Sequence, residues 1–169
     1  MTTSQSTGLR HVRAPSLPPP ESGAITMLAG SATGRPPWQN RAVSLLTECG
    51  FTGVVLDPYV PGDIELPWRT GWLDQAETMA DVLLCWRPLG PWPVVRAHRA
   101  YLADRLRPPI VVGCPPAVGW QQVTRRDLAM DVPGLTVHST LAATVEEAVA
   151  RLTARTSRRR CNLPSTKGA

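Results

Sequence analysis

The chain has 169 residues, with 18 Lys and Arg against 13 Asp and Glu, a formal net charge of +5 and a pI near 9.6. That length accommodates one domain with a proper core rather than two. A 43% hydrophobic and 18% charged composition excludes a wholly disordered chain, and no window reaches the run of about 18 apolar residues that a membrane span requires.

The first 23 residues, with Pro15 and Pro18-Pro19-Pro20 and no apolar stretch of the secretory kind, read as a disordered Pro-rich lead-in. Ile25-Thr-Met-Leu-Ala29 reads as a buried strand ending at Gly30-Ser31. Pro36-Pro37 then opens a helix through Glu48, with Ala42, Val43, Leu45 and Leu46 as its apolar stripe and Gly50 as its C-terminal glycine. Gly53-Val-Val-Leu-Asp57 is a second strand, stopped by Pro58. The Pro- and Gly-rich loop 58–67 is long for a plain connection, and long ordered loops often carry function.

Trp68 to Met79 reads as a helix and Asp81-Val-Leu-Leu-Cys-Trp86 as a third strand without polar alternation, hence buried on both faces. A helix from Val94 to Leu106 leads to a fourth strand, Pro109-Ile-Val-Val-Gly113. Leu135-Thr-Val137 is a plausible fifth. Thr144-x-x-Glu147 matches a capping box and opens a last helix that runs to about Arg155. Short apolar strands alternating with helices specify an open, doubly wound α/β domain over 24–155, with a parallel sheet of about five strands.

The positive charge is not in that domain. Residues 155–169 carry Arg155, Arg158, Arg159, Arg160 and Lys167 with no acid, whereas 24–154 hold eleven Arg against twelve Asp and Glu, a net −1. The segment 156–169 reads as a basic disordered tail. No aromatic residue is interleaved with its arginines to stack on bases, so nucleic acid is not the expected partner. Cys49, Cys85, Cys114 and Cys161 form no C-x-x-C pair and have no His at ligand spacing, so no metal is expected and the thiols read as reduced, in a cytoplasmic protein.

In doubly wound sheets ligands bind outside the carboxyl ends of the strands, near the point where strand order reverses. The residues there are Gly30, Ser31 and Thr33 after the first strand, Asp57 and Tyr59 after the second, and Arg87 after the third. Gly30-Ser31-Ala32-Thr33-Gly34 offers backbone N–H groups and two hydroxyls, enough for a phosphate or a sugar hydroxyl, but it is neither G-x-G-x-x-G nor a P-loop. No dinucleotide or other cofactor is expected from it. Asp57 has two readings, a grip or base for a ribose hydroxyl and a cap on the following turn. Six Trp beside one Phe are enough for core packing and for a wall around a nucleobase, and Trp38 and Trp72 are the candidates for the second role.

Leu28-Ala-Gly-Ser31, Pro37-Trp-Gln39, Gly50-Phe-Thr-Gly-Val-Val-Leu-Asp-Pro58, Trp72 and Ala80-Asp-Val-Leu-Leu-Cys-Trp86, taken in order, resemble the nucleoside 2-deoxyribosyltransferase-like family over about residues 25–115. The resemblance implies a flavodoxin-like, Rossmann-like fold, cleavage or exchange of the N-glycosidic bond of a nucleoside or nucleotide, and assembly as a homo-oligomer. It also implies a nucleophilic Glu that forms a covalent glycosyl intermediate. Anchored on Tyr101-Leu-Ala103, that Glu falls on Ala97, which has no lone pair to attack with. Three alternatives follow: direct displacement with Asp57, Asp63, Glu65 or Asp74 as base; His98 in place of the lost carboxylate; or a binding module without the reaction. Arg87, Arg96 and Arg99 would suit a phosphate and so a nucleotide.

Overall fold

The computed structural model describes residues 8–19, 22–30, 38–59, 69–86, 108–116 and 134–161, with isolated positions at 122, 126 and 130; the side chains at 69 and 158–161 are not among those described. Within these residues the strands are β1 (Arg10–Arg13), β2 (Ile25–Ala29), β3 (Val54–Asp57), β4 (Val82–Trp86), β5 (Ile110–Gly113) and β6 (Val137–His138). The helices are α1 (Trp38–Glu48), α2 (Arg69–Met79) and α3 (Leu141–Cys161).

All the strand pairs are parallel, in the order β1-β3-β2-β4-β5-β6. β2 to β5 carry almost no polar side chains, because strands covered on both faces have no solvent side to alternate toward. The register divides those side chains between two cores. Ile25, Met27, Val54, Leu56, Leu83, Cys85, Ile110 and Val112 pack toward Trp72 and Ala76 of α2. Leu28, Val55, Val82, Leu84, Trp86 and Val111 pack toward Ala42, Leu45 and Leu46 of α1 and Val145, Ala148 and Leu152 of α3. Helices on both faces of one parallel sheet make the fold a doubly wound α/β, as the strand and helix pattern implies.

Local signals place the helix ends. After α1, Gly50 takes φ +74, its N–H bonds Thr47 O at 2.9 Å and Phe51 N–H bonds Leu46 O at 3.0 Å, the paired bonds of a Schellman ending. α3 starts earlier than its capping-box signature suggests. Thr140 Oγ1 accepts from Ala143 N–H at 3.1 Å and is the N-cap, whereas Thr144 is fully buried one turn inside the helix, its hydroxyl donating to Thr140 O at 2.8 Å. The preference for Ser or Thr at a cap cannot by itself choose between two threonines four residues apart.

Three boundaries differ from the sequence reading. The sheet has six strands rather than about five, because residues 10–13 of the supposed disordered lead-in form β1 on its edge. The fifth expected strand, 135–137, is the two-residue pair Val137–His138. α3 continues through Cys161, so the segment 156–169 begins as helix rather than as a disordered tail. The helix expected over 94–106 lies outside the described residues. No helix among those described is long and apolar enough to cross a membrane.

Candidate functional site

The chain passes from β2 to its neighbour β3, then crosses to β4 on the other side of β2, so strand order reverses between β2 and β4. The crevice outside the carboxyl ends of those two strands is where a doubly wound sheet takes a ligand.

Gly30 stands at that point. Its φ is +143, and a Cβ there would come 2.2 Å from Trp86 O and 3.3 Å from the Trp38 ring. Only glycine allows both the conformation and the approach. On the other side of β4, Trp86 pairs with Gly113 of β5, and a Cβ on Gly113 would meet the Trp86 ring at 2.6 Å and Thr144 Oγ1 at 2.0 Å. Two glycines thus let Trp86 fill the switch point, with its carbonyl against β2 and its indole over β5. Trp38, the first residue of α1, borders the same place, and both rings are only 7% exposed and belong to the α1/α3 core. Gly30 stands at the strand end where the sequence places it, and Trp38, a candidate wall for a base, is buried beside it; Gly113 gives no signal in the sequence because its requirement comes from the neighbouring strand.

Asp57 ends β3 and is completely buried. Its Oδ1 accepts from Tyr59 N–H at 2.9 Å, closing the turn after the strand. Its Oδ2 accepts from His11 Nε2 at 3.0 Å, with Arg13 Nε at 3.7 Å. The register explains the meeting: His11 lies opposite Val55 and Arg13 opposite Asp57, so all of these side chains leave the same face of the parallel pair. Arg13 reaches on to Asn40 in the first turn of α1, at 3.1 Å. Of the two readings of Asp57, the turn cap is the one the hydrogen bonds display, and His11 and Arg13 occupy the remaining oxygen. Tyr59 is held here through its backbone.

The other candidates fall elsewhere. Trp72 is buried in the α2 core, where its Nε1 donates to Ser16 O at 2.9 Å and ties down the segment after β1. Asp74 lies on the exposed side of α2, with its backbone carbonyl accepting from Thr78 Oγ1. Ser31, Thr33, Arg87 and His98 lie outside the described residues, as do Ala97, Asp63 and Glu65. The structure therefore brings together Gly30 and Trp38 at the crevice, and separately Asp57 with Tyr59 at the end of the neighbouring strand β3, one strand nearer the sheet edge.

The partners of Asp57 that carry no signal in the sequence are His11 and Arg13. They sit among prolines in a four-residue edge strand with one β-branched residue, Val12, too short for a period-2 signal to register. Among the described residues no group of three His, Cys, Asp or Glu could hold a metal ion. Cys49 is exposed and Cys85 and Cys114 are buried, and none of the three is in a disulfide. No protein-family model and no curated protein matches the chain.

Proposed function

We propose that this α/β domain binds a nucleoside or nucleotide in the crevice between β2 and β4 and cleaves or exchanges its N-glycosidic bond, as a divergent relative of the nucleoside 2-deoxyribosyltransferase-like proteins it resembles. The observation that carries the reading is Gly30. An exposed, positive-φ residue without a side chain at the switch point, backed by the buried Trp38 and Trp86, leaves open backbone where the sugar or phosphate of such a ligand would lie. With Ala97 at the position of the family's Glu, bond cleavage in this chain proceeds by direct displacement rather than through a glycosyl-enzyme intermediate.

A second reading, a nucleoside-binding module without turnover, is favoured by Asp57. Both of its oxygens accept hydrogen bonds from the protein, which leaves this strand-end carboxylate poorly placed to take a proton from water. One experiment separates the two. The purified chain is incubated with a panel of nucleosides and nucleoside monophosphates, free base is followed by chromatography, and binding is followed by calorimetry. Base release supports the enzyme, saturable binding without release supports the module, and neither binding nor release with any member of the panel sinks both.

A further inference from the structure

β1 is the edge of the sheet, and its outer side is rich in hydrogen-bond donors. Arg10 N–H bonds Gly53 O at 2.9 Å and Ala14 N–H bonds Asp57 O at 3.0 Å, so Arg10, Val12 and Ala14 direct their amides toward β3. Alternation along a parallel ladder turns the amides of His11 and Arg13 outward. The outward carbonyl of Arg13 is already taken by Ser16 N–H at 3.0 Å, which among the described residues leaves one outward acceptor, His11 O, against two outward donors. An open depression of about 660 Å³ runs along this edge, lined among the described residues by His11, Val12, Arg13, Ala14 and Ser16.

The side chains around the depression have polar capacity that the protein does not use. His11 engages Asp57 through Nε2, and among the described residues its Nδ1 has no partner, with the side chain 22% exposed. Arg13 bonds Asn40 through Nη2 and faces Asp57 through Nε, which leaves Nη1 uncommitted on a half-exposed side chain. Ser16 uses its backbone N–H and carbonyl, and its hydroxyl has no partner among the described residues. The carboxylate that fixes His11 is itself fully buried, whereas His11 and Arg13 are partly exposed, so the anionic member of the group is the one withdrawn from solvent.

We propose that His11, Arg13 and Ser16 form a binding site for a phosphate-class oxyanion. A tetrahedral oxyanion takes several convergent donors and offers acceptors on every side, which matches a guanidinium, a hydroxyl and outward amides. His11 Nδ1 serves in either protonation state, as a donor when the ring is charged and as an acceptor for the O–H of monobasic phosphate when it is neutral. An added peptide strand fits less well. It requires donors and acceptors in alternation, and a four-residue edge flanked by Arg10 and Arg13 is the short, charged kind that resists strand pairing. The proposal stands apart from the nucleoside reading, since inorganic phosphate alone is a sufficient probe.

The test uses the full chain, isotopically labelled, with inorganic phosphate titrated against chloride at constant ionic strength. The imidazole resonances of His11 follow a saturable isotherm in the millimolar range while those of His138 stay in place. Arg13→Gln weakens binding by about tenfold or more, the loss expected for one charge-assisted hydrogen-bond partner. Should that variant fail to fold, Arg13→Lys keeps the charge without the fork and weakens binding several-fold. Tighter binding of a nucleoside monophosphate than of phosphate, with movement of the Gly30 amide, identifies the oxyanion as a nucleotide's; equal binding identifies free phosphate or another phosphate compound. Unmoved His11 resonances, an unchanged affinity in folded Arg13→Gln, or a response to an acidic peptide but not to phosphate overturns the site. A nucleoside that leaves Gly30 unmoved while phosphate saturates His11 sinks the nucleoside reading alone.

Discussion

His11 Nε2 lies 3.0 Å from Asp57 Oδ2, a hydrogen bond that spans 46 residues of sequence and joins the edge strand to the one buried carboxylate at the end of β3. It gives Asp57 a partner on each oxygen, and it makes β1 part of the folded unit rather than a loose extension of it. A carboxylate sealed from water with its acceptors filled is a structural group first.

Asp57→Asn is expected to destabilise the protein by about 1–3 kcal/mol, the cost of losing charge-assisted hydrogen bonds to a buried group. The amide still offers an oxygen to Tyr59 N–H, but its NH₂ faces the His11 ring and the Arg13 guanidinium. Because His11 and Arg13 are partly solvated, the penalty stays below that of orphaning a fully buried charge. Urea unfolding measures it. A variant as stable as the parent that had lost ligand turnover would show instead that Asp57 acts on substrate.

Gly30 and Gly50 both take positive φ, yet they predict different outcomes on replacement by Ala. At Gly50 nothing lies within 4 Å of a new Cβ, so Gly50→Ala costs only the backbone strain, about 1–2 kcal/mol. At Gly30 the Cβ would come 2.2 Å from a carbonyl oxygen of the central strand β4, and neither partner is a flexible side-chain end. Gly30→Ala is expected to cost more than about 3 kcal/mol, strain and displacement of β2 from β4 combined. Equal unfolding midpoints for the two variants would contradict the close approach at the switch point.

Trp72→Phe retains an aromatic ring in the α2 core but removes the indole N–H that reaches Ser16 O. The expected loss is about 1–2 kcal/mol, one partly buried hydrogen bond together with a small change in packing. Amide exchange should accelerate around residues 14–17 before it does elsewhere. If Trp72 were a wall for a bound base, the same change would lower ligand affinity while leaving exchange of that segment untouched.

The parts of this fold that were legible in the sequence are those in which one strong local force dominates. The four central strands are nearly pure apolar runs because they are covered on both faces, and Gly50 and the apolar stripe of α1 mark that helix without help from the rest of the chain. What escaped depends on a distant partner. β1 is a strand because the edge of β3 accepts it and because Asp57 and Trp72 hold its side chains and the turn beyond it, none of which is written in Arg10-His-Val-Arg13. Gly113 is required by Trp86, and Thr144 resembles a cap in the sequence because a hydroxyl that bonds back to the preceding turn has the same identity as one that caps. At the candidate site the sequence pointed to Gly30 and to the end of β3, but whether a strand-end carboxylate faces a ligand or the protein is decided by its neighbours in space.

Deleting residues 1–13 separates the two accounts of the N-terminus most directly. A disordered lead-in contributes nothing to stability, and its removal leaves the unfolding midpoint where it was. The structure predicts a clear loss. The backbone bonds of the β1–β3 ladder disappear, each worth about 1 kcal/mol net, and the edge of β3 is uncovered. Asp57 loses His11 and Arg13 together, which leaves Oδ2 without its protein partners, while Trp72 retains Ser16 O only on an untethered chain end. The expected destabilisation is more than about 2 kcal/mol, read from urea denaturation. The His11→Gln point variant, which keeps β1 and removes only the imidazole, should fall between the parent and the deletion, and a deletion no less stable than the parent would show that β1 is not part of the folded unit.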